Sequence, residues 1–128
     1  MNGLYRIIVR ERLGILHMHQ EPIFCTLTQP NMFGSKLDKD AYFRWIQAIP
    51  GVTSVEGLPA ADPTPGAPAR LRVGIDMKRF DEWSLREIFS LYYRFDLDFE
   101  ELRTFINDDN KHWVYDPQKF WAKRFAHD

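Results

Sequence analysis

The sequence predicts a single α+β domain over residues 1–128: a small, mostly antiparallel sheet with helices packed on one face, a C-terminal helical hairpin and a last helix. Three observations predict it. Arg70 to Met77 (RLRVGIDM) alternates charged and apolar side chains at period 2, as a half-buried strand does, with Leu71, Val73, Ile75 and Met77 facing the core. Tyr42, Trp45, Ile46 and Ile49 recur at i, i+3, i+4 and i+7, one face of an amphipathic helix. The stretch Phe80 to Ile106 then carries two more helical patterns, each behind its own start signal.

From the N-terminus, residues 4–10 (LYRIIVR) are apolar and β-branched and read as a strand. Residues 13–18 (LGILHM) read either as the second strand of a hairpin or as a continuation past Gly14. Ile23 to Leu27, bounded by Pro22 and Pro30, is an edge strand or an ordered connection. Asp38 is an expected N-cap for the helix of Tyr42 and Ile46, which Pro50-Gly51 ends because proline removes an amide donor. Val52 to Leu58 reads as a strand. Residues 59–69 hold four of the eight prolines and read as an exposed connection.

Ser84 with Glu87 fits the capping-box spacing, ahead of Leu85, Ile88, Phe89 and Tyr92. Asp98 with Glu101 repeats that spacing ahead of Phe99, Leu102, Phe105 and Ile106. Arg94 to Leu97 leaves room only for a tight connection, so an αα-hairpin is expected, with one bent helix as the alternative. Asp116-Pro117 opens a last expected helix, since proline at the first helical position sacrifices no hydrogen bond.

A formal charge of −1 excludes a strong general attraction to nucleic acid or an anionic membrane. Cys25 is the only cysteine, which excludes an internal disulfide and a cysteine-based zinc site, and its apolar neighbours suggest a buried thiol. No segment reaches the apolar length of a membrane span, and the N-terminal region lacks a long apolar core of the signal-peptide kind, so a cytoplasmic location is expected. His17 and His19 would share one face of a strand and could together hold a metal ion, but no third ligand is identifiable. Nucleophile elbows, metalloprotease helices, phosphate loops and dinucleotide fingerprints are all absent from the sequence. No catalytic residue and no cofactor is expected.

The charge is unevenly spread. Between Asp81 and Asp109, nine acids face three bases, a net −6 that leaves +5 for the rest of the chain. Glu87, Asp98 and Glu101 are explained as helix caps. Asp81, Glu82, Asp96, Glu100, Asp108 and Asp109 remain as candidates for binding a basic partner, with Tyr93 and Trp113 as aromatic anchors. An aromatic content of 15% exceeds what a small core needs, which suits a binding face.

The order LRVGIDM, SLREIFSLYYRF, DLDFEELRTFIND and HWVYDPQKFWAKRF, over residues 70–126, resembles in layout the immunity proteins of contact-dependent growth inhibition and related polymorphic toxin systems. The resemblance lies in spacing and aromatic placement and transfers no binding residue. It implies a protein without an active site that binds a toxin domain. A nuclease toxin would offer the basic cleft that an acidic surface complements. The alternatives are a small metal-dependent enzyme using His17 and His19, or an oligomeric structural or regulatory domain.

Overall fold

The computed structural model describes residues 21–125. Its elements are β1 (Ile23–Thr28), α1 (Lys36–Ala48), β2 (Val52–Leu58), β3 (Arg70–Ile75), α2 (Glu82–Arg94), a 3-10 helix (Phe99–Phe105), the four-residue α3 (Lys111–Val114) and a short 3-10 turn (Ala122–Arg124). The fold is α+β: a three-stranded antiparallel sheet with helices packed against it. The strands expected at 4–10 and 13–18, and His17 and His19, lie outside the described residues.

β3 runs between β1 and β2, antiparallel to both. Its alternation decides which face is covered. Leu71, Val73 and Ile75 are buried, and Leu27, opposite Leu71, is buried with them. Met77, expected to continue this row, is 41% exposed. The strand ends at Ile75, and Asp76 starts a turn by accepting the Lys78 amide at 3.0 Å. The segment at 23–27 thus proves to be a strand rather than a connection.

α1 begins one turn earlier than Asp38. Ser35 is the N-cap, its hydroxyl accepting the Asp38 amide at 3.1 Å, while the Asp38 carboxylate reaches back to the Gly34 amide at 2.9 Å. Tyr42, Ile46 and Ile49 are buried and Trp45 is half-buried, as the spacing predicts. The stop at Pro50-Gly51 requires glycine. Gly51 has φ +92°, and a Cβ there would sit 2.8 Å from the Phe80 amide nitrogen. This contact brings the α1–β2 turn against the segment that leads into α2.

The C-terminal half departs further from expectation. α2 is followed not by a second α-helix but by the 3-10 helix, so a helical hairpin is not clearly formed. The connection is tight, with Asp96 at φ 56° and the Leu97 amide bonded to the Tyr92 carbonyl at 2.9 Å. Asp116-Pro117 begins a turn, its carboxylate accepting the Gln118 amide at 2.9 Å, and no helix follows it directly. Trp121 and Phe125 are both buried, and the Trp121 indole donates to the Val114 carbonyl at 2.8 Å, which fixes the segment by packing instead. Phe120 is exposed, and Ile106, expected in the core, is half-buried.

Candidate functional site

The candidate site grows out of the first turn of α2. Asp81, not Ser84, is the N-cap: its carboxylate accepts the Ser84 amide at 3.0 Å, and the Ser84 hydroxyl accepts the Asp81 amide at 3.2 Å. That reciprocal pair lies three residues upstream of the box expected at Ser84 and Glu87. Buried Ser84 also donates to the Pro50 carbonyl at 2.6 Å, tying the helix start to the turn after α1. Glu87 is used otherwise, accepting the Trp45 indole N–H at 3.0 Å. The amide bonds from the helix start hold the Asp81 carboxyl below its ordinary range, so it stays charged.

Beside this turn lies a cleft of about 240 Å³. Its apolar walls are Met77, Phe80, Leu85, Phe105 and Trp113. Phe80 stacks on Phe105 with centroids 5.1 Å apart and planes at 27°, joining the start of α2 to the end of the 3-10 helix. The polar lining is Asp81, Glu82, Asp109, Asn107 and Asn110. Hydrogen bonds hold this rim. The Asn107 side chain accepts the Asp109 and Asn110 amides at 2.8 and 3.1 Å, and the Asn110 side chain donates to the Phe105 carbonyl at 2.9 Å. Three carboxylates thus surround an aromatic-walled hollow, and none of its ten lining residues is cationic.

Of the candidates read from the sequence, the structure brings Asp81, Glu82, Asp109 and Trp113 to this cleft. Asp108 is adjacent in the chain and pairs with Lys111 at 2.9 Å. Tyr93 and Asp96 sit instead at the far end of α2, roughly 16 Å along the axis from Glu82 at the usual helical rise. There Arg124 donates to Asp96 at 2.7 Å, and the Tyr93 ring meets Phe120 at 5.0 Å. Glu100 lies on the 3-10 helix, where Arg103 donates to it at 2.7 Å. Arg86 likewise donates to Glu82 at 2.7 Å, so Glu82, Asp96, Glu100 and Asp108 are each paired with a base, which the count of acids along the chain does not reveal.

Glu101, expected as a cap, turns inward. One carboxylate oxygen accepts the Thr28 amide at 3.1 Å and the Thr28 hydroxyl at 3.2 Å, and the other accepts the Tyr92 hydroxyl at 2.9 Å. The group clips the 3-10 helix to the end of β1. Burial raises its pKa, partly offset by these bonds. Burial, and then the Glu101 charge, push the Cys25 thiol up to about 11 and the Tyr42 and Tyr92 hydroxyls upward as well. Asp98 does cap the 3-10 helix, accepting the Glu100 amide at 2.9 Å.

Trp83 was not among the sequence candidates. It is 62% exposed and flanks a second groove with Trp45, Ala48, Ile49 and Glu87, across the first turn of α2 from the cleft. The sequence did contain a signal: Trp83 falls off the stripe of Leu85, Ile88, Phe89 and Tyr92, so a large ring there must face outward. Phe80, Phe105, Asn107 and Asn110 carried no such signal.

No group of three or more His, Cys, Asp or Glu among the described residues could hold a metal ion, and no helix among them is long and apolar enough to cross a membrane. Comparison of the chain with protein-family models, curated proteins and solved structures found no match.

Proposed function

We propose that this chain is a non-catalytic binding protein that engages a protein partner with a basic surface. The interface is the face around the first turn of α2, where Asp81, Glu82, Asp109 and Trp113 meet. The observation that carries the reading is the cleft itself, with aromatic walls, three carboxylates of which Glu82 is paired with Arg86, and no cationic side chain in its lining. Clustered aromatic anchors beside charge of one sign are the composition of an interface hot spot with electrostatic steering. Trp83 extends the apolar surface on the other side of the same turn. The one thiol in the sequence has its pKa raised to about 11, so at neutral pH it is protonated and a poor nucleophile. The layout resemblance of residues 70–126 makes a toxin domain the concrete partner, neutralised by occlusion of a basic substrate-binding surface.

The test is capture from a host lysate on the immobilised chain, comparing wild type with Glu82→Lys/Asp109→Lys. A basic protein should be retained by wild type, released as salt rises, and missing from the variant, and its activity should be inhibited by the wild-type chain. Equal retention by both chains would place the interface elsewhere.

A further inference from the structure

The described residues repeat one arrangement, of which three examples with ion pairs at 2.7 Å lie on the surface of the C-terminal half. Arg86 donates to Glu82 at 2.7 Å while its guanidinium lies 4.4 Å from the Trp113 ring centre. Arg103 donates to Glu100 at 2.7 Å and lies 5.3 Å from the Phe125 ring. Arg124 donates to Asp96 at 2.7 Å and lies 5.1 Å from the Phe99 ring. Each joins a planar cation, a carboxylate and an aromatic ring, because a guanidinium can bond in its plane and pack apolar rings against its surface at the same time.

The cleft has two of these three parts. Arg86 already engages its Glu82 and Trp113, but the stacked rings of Phe80 and Phe105 and the carboxylates of Asp81 and Asp109 meet no base in its lining. We propose that an arginine side chain of the partner supplies the third part, its stem along the apolar wall and its guanidinium against the Asp109 and Asp81 carboxylates. This rests on the reading of that face as the protein-binding surface. Size agrees, since about 240 Å³ is below the roughly 300–1,000 Å³ of pockets for drug-sized ligands and suits one long side chain. Arginine is favoured over lysine because its planar, weakly hydrated head can pack against rings, whereas an ammonium must give up a tighter water shell. The bonded rim of Asn107 and Asn110 holds the hollow open, so little ordering is left for the partner to impose.

The experiment uses blocked Gly-Arg-Gly peptides and records nitrogen–proton NMR spectra of the whole chain. The arginine peptide should shift the Trp113 indole and the Asn107 and Asn110 side-chain amides saturably, with a Kd in the roughly millimolar range expected of so small a probe. Replacing arginine by citrulline or norleucine should weaken binding about tenfold or more, and lysine should also bind less well. Asp109→Asn should weaken the arginine peptide about tenfold, and Glu56→Gln, on β2, should leave it unchanged. Equal binding by citrulline or lysine, or no saturable shift at the cleft, overturns the proposal. If the peptide fails while Glu82→Lys/Asp109→Lys still abolishes capture, the arginine socket falls and the interface stands. If the peptide binds while capture survives that reversal, the cleft holds a guanidinium that the partner does not supply, and the proposal falls together with the binding-face reading.

Discussion

Glu101 and Asp81 show how one residue type serves opposite ends. Asp81 lies at the mouth of a helix, where amide donors favour its charge and keep its pKa low. Glu101 lies under the sheet edge, where burial disfavours its charge despite the bonds from Thr28 and Tyr92, and its pKa is raised above 4.5. The consequences for stability have opposite signs. The folded state binds the Glu101 proton more tightly than the unfolded state does, so this group favours folding more as pH falls through the interval above 4.5. Asp81 favours folding above the ordinary aspartate range and loses that contribution as pH falls. Glu101→Gln, which is neutral throughout, isolates the first effect. Measured by urea unfolding, its stability relative to wild type should be highest near neutral pH and should decline on acidification toward 4.5. A difference that does not change with pH would show that folding leaves the Glu101 pKa unshifted, and a variant that gains on wild type on acidification would show that the clip favours the charged carboxylate.

At the scale of elements, the junction of α1, β2 and α2 positions the cleft, and Ser84 holds it. The hydroxyl donates to the Pro50 carbonyl and accepts the Asp81 amide, both across the buried start of α2. Ser84→Ala leaves those groups without a partner and should cost about 1–3 kcal/mol in denaturant unfolding. A loss below about 0.5 kcal/mol would mean the junction is held by packing alone. The same junction explains what the sequence could and could not disclose. The stripes of α1 and α2 and the alternation of β3 are local periodicities, and they were legible. The start of α2 was not, because Asp81-Ser84 and Ser84-Glu87 both have capping spacing. The choice between them is made by Trp45, whose indole takes the Glu87 carboxylate from 42 positions away. The helix expected after Asp116-Pro117 does not form, and long-range contacts place that segment, with Trp121 and Phe125 buried and the Trp121 indole on the Val114 carbonyl. The cleft was half legible. Asp81, Glu82, Asp109 and Trp113 are legible as surface candidates, but long-range contacts such as Phe80 on Phe105 and Arg86 over Trp113 place their segments side by side.

Across the whole molecule, stability and charge are carried by different parts. The core is apolar and strongly aromatic. Phe89 lies 4.8 Å from Trp121 and 5.6 Å from Phe125, and Phe99 lies 5.3 Å from Phe125, so the irregular C-terminal segment is fastened by rings. The described ion pairs lie at the surface. Arg86–Glu82 and Arg124–Asp96 each keep one partner more than half exposed, Arg103–Glu100 is partly exposed on both sides, and such pairs are worth about 0–1 kcal/mol each. Raising sodium chloride to about 0.5 M shrinks the screening length to a few ångströms, and it should move the Tm by no more than about 3 °C. Phe125→Ala should cost about 3–5 kcal/mol, a fall of roughly 10–20 °C for a domain of this size. A large salt-induced fall in Tm, with a small effect of Phe125→Ala, would invert the division. If the division holds, Glu82 and Asp109 are not needed for the fold, unlike Asp81, which caps α2. Charge reversal at Glu82 and Asp109 then reports on recognition rather than on unfolding, and screening by salt should slow association with a basic partner while leaving the chain folded.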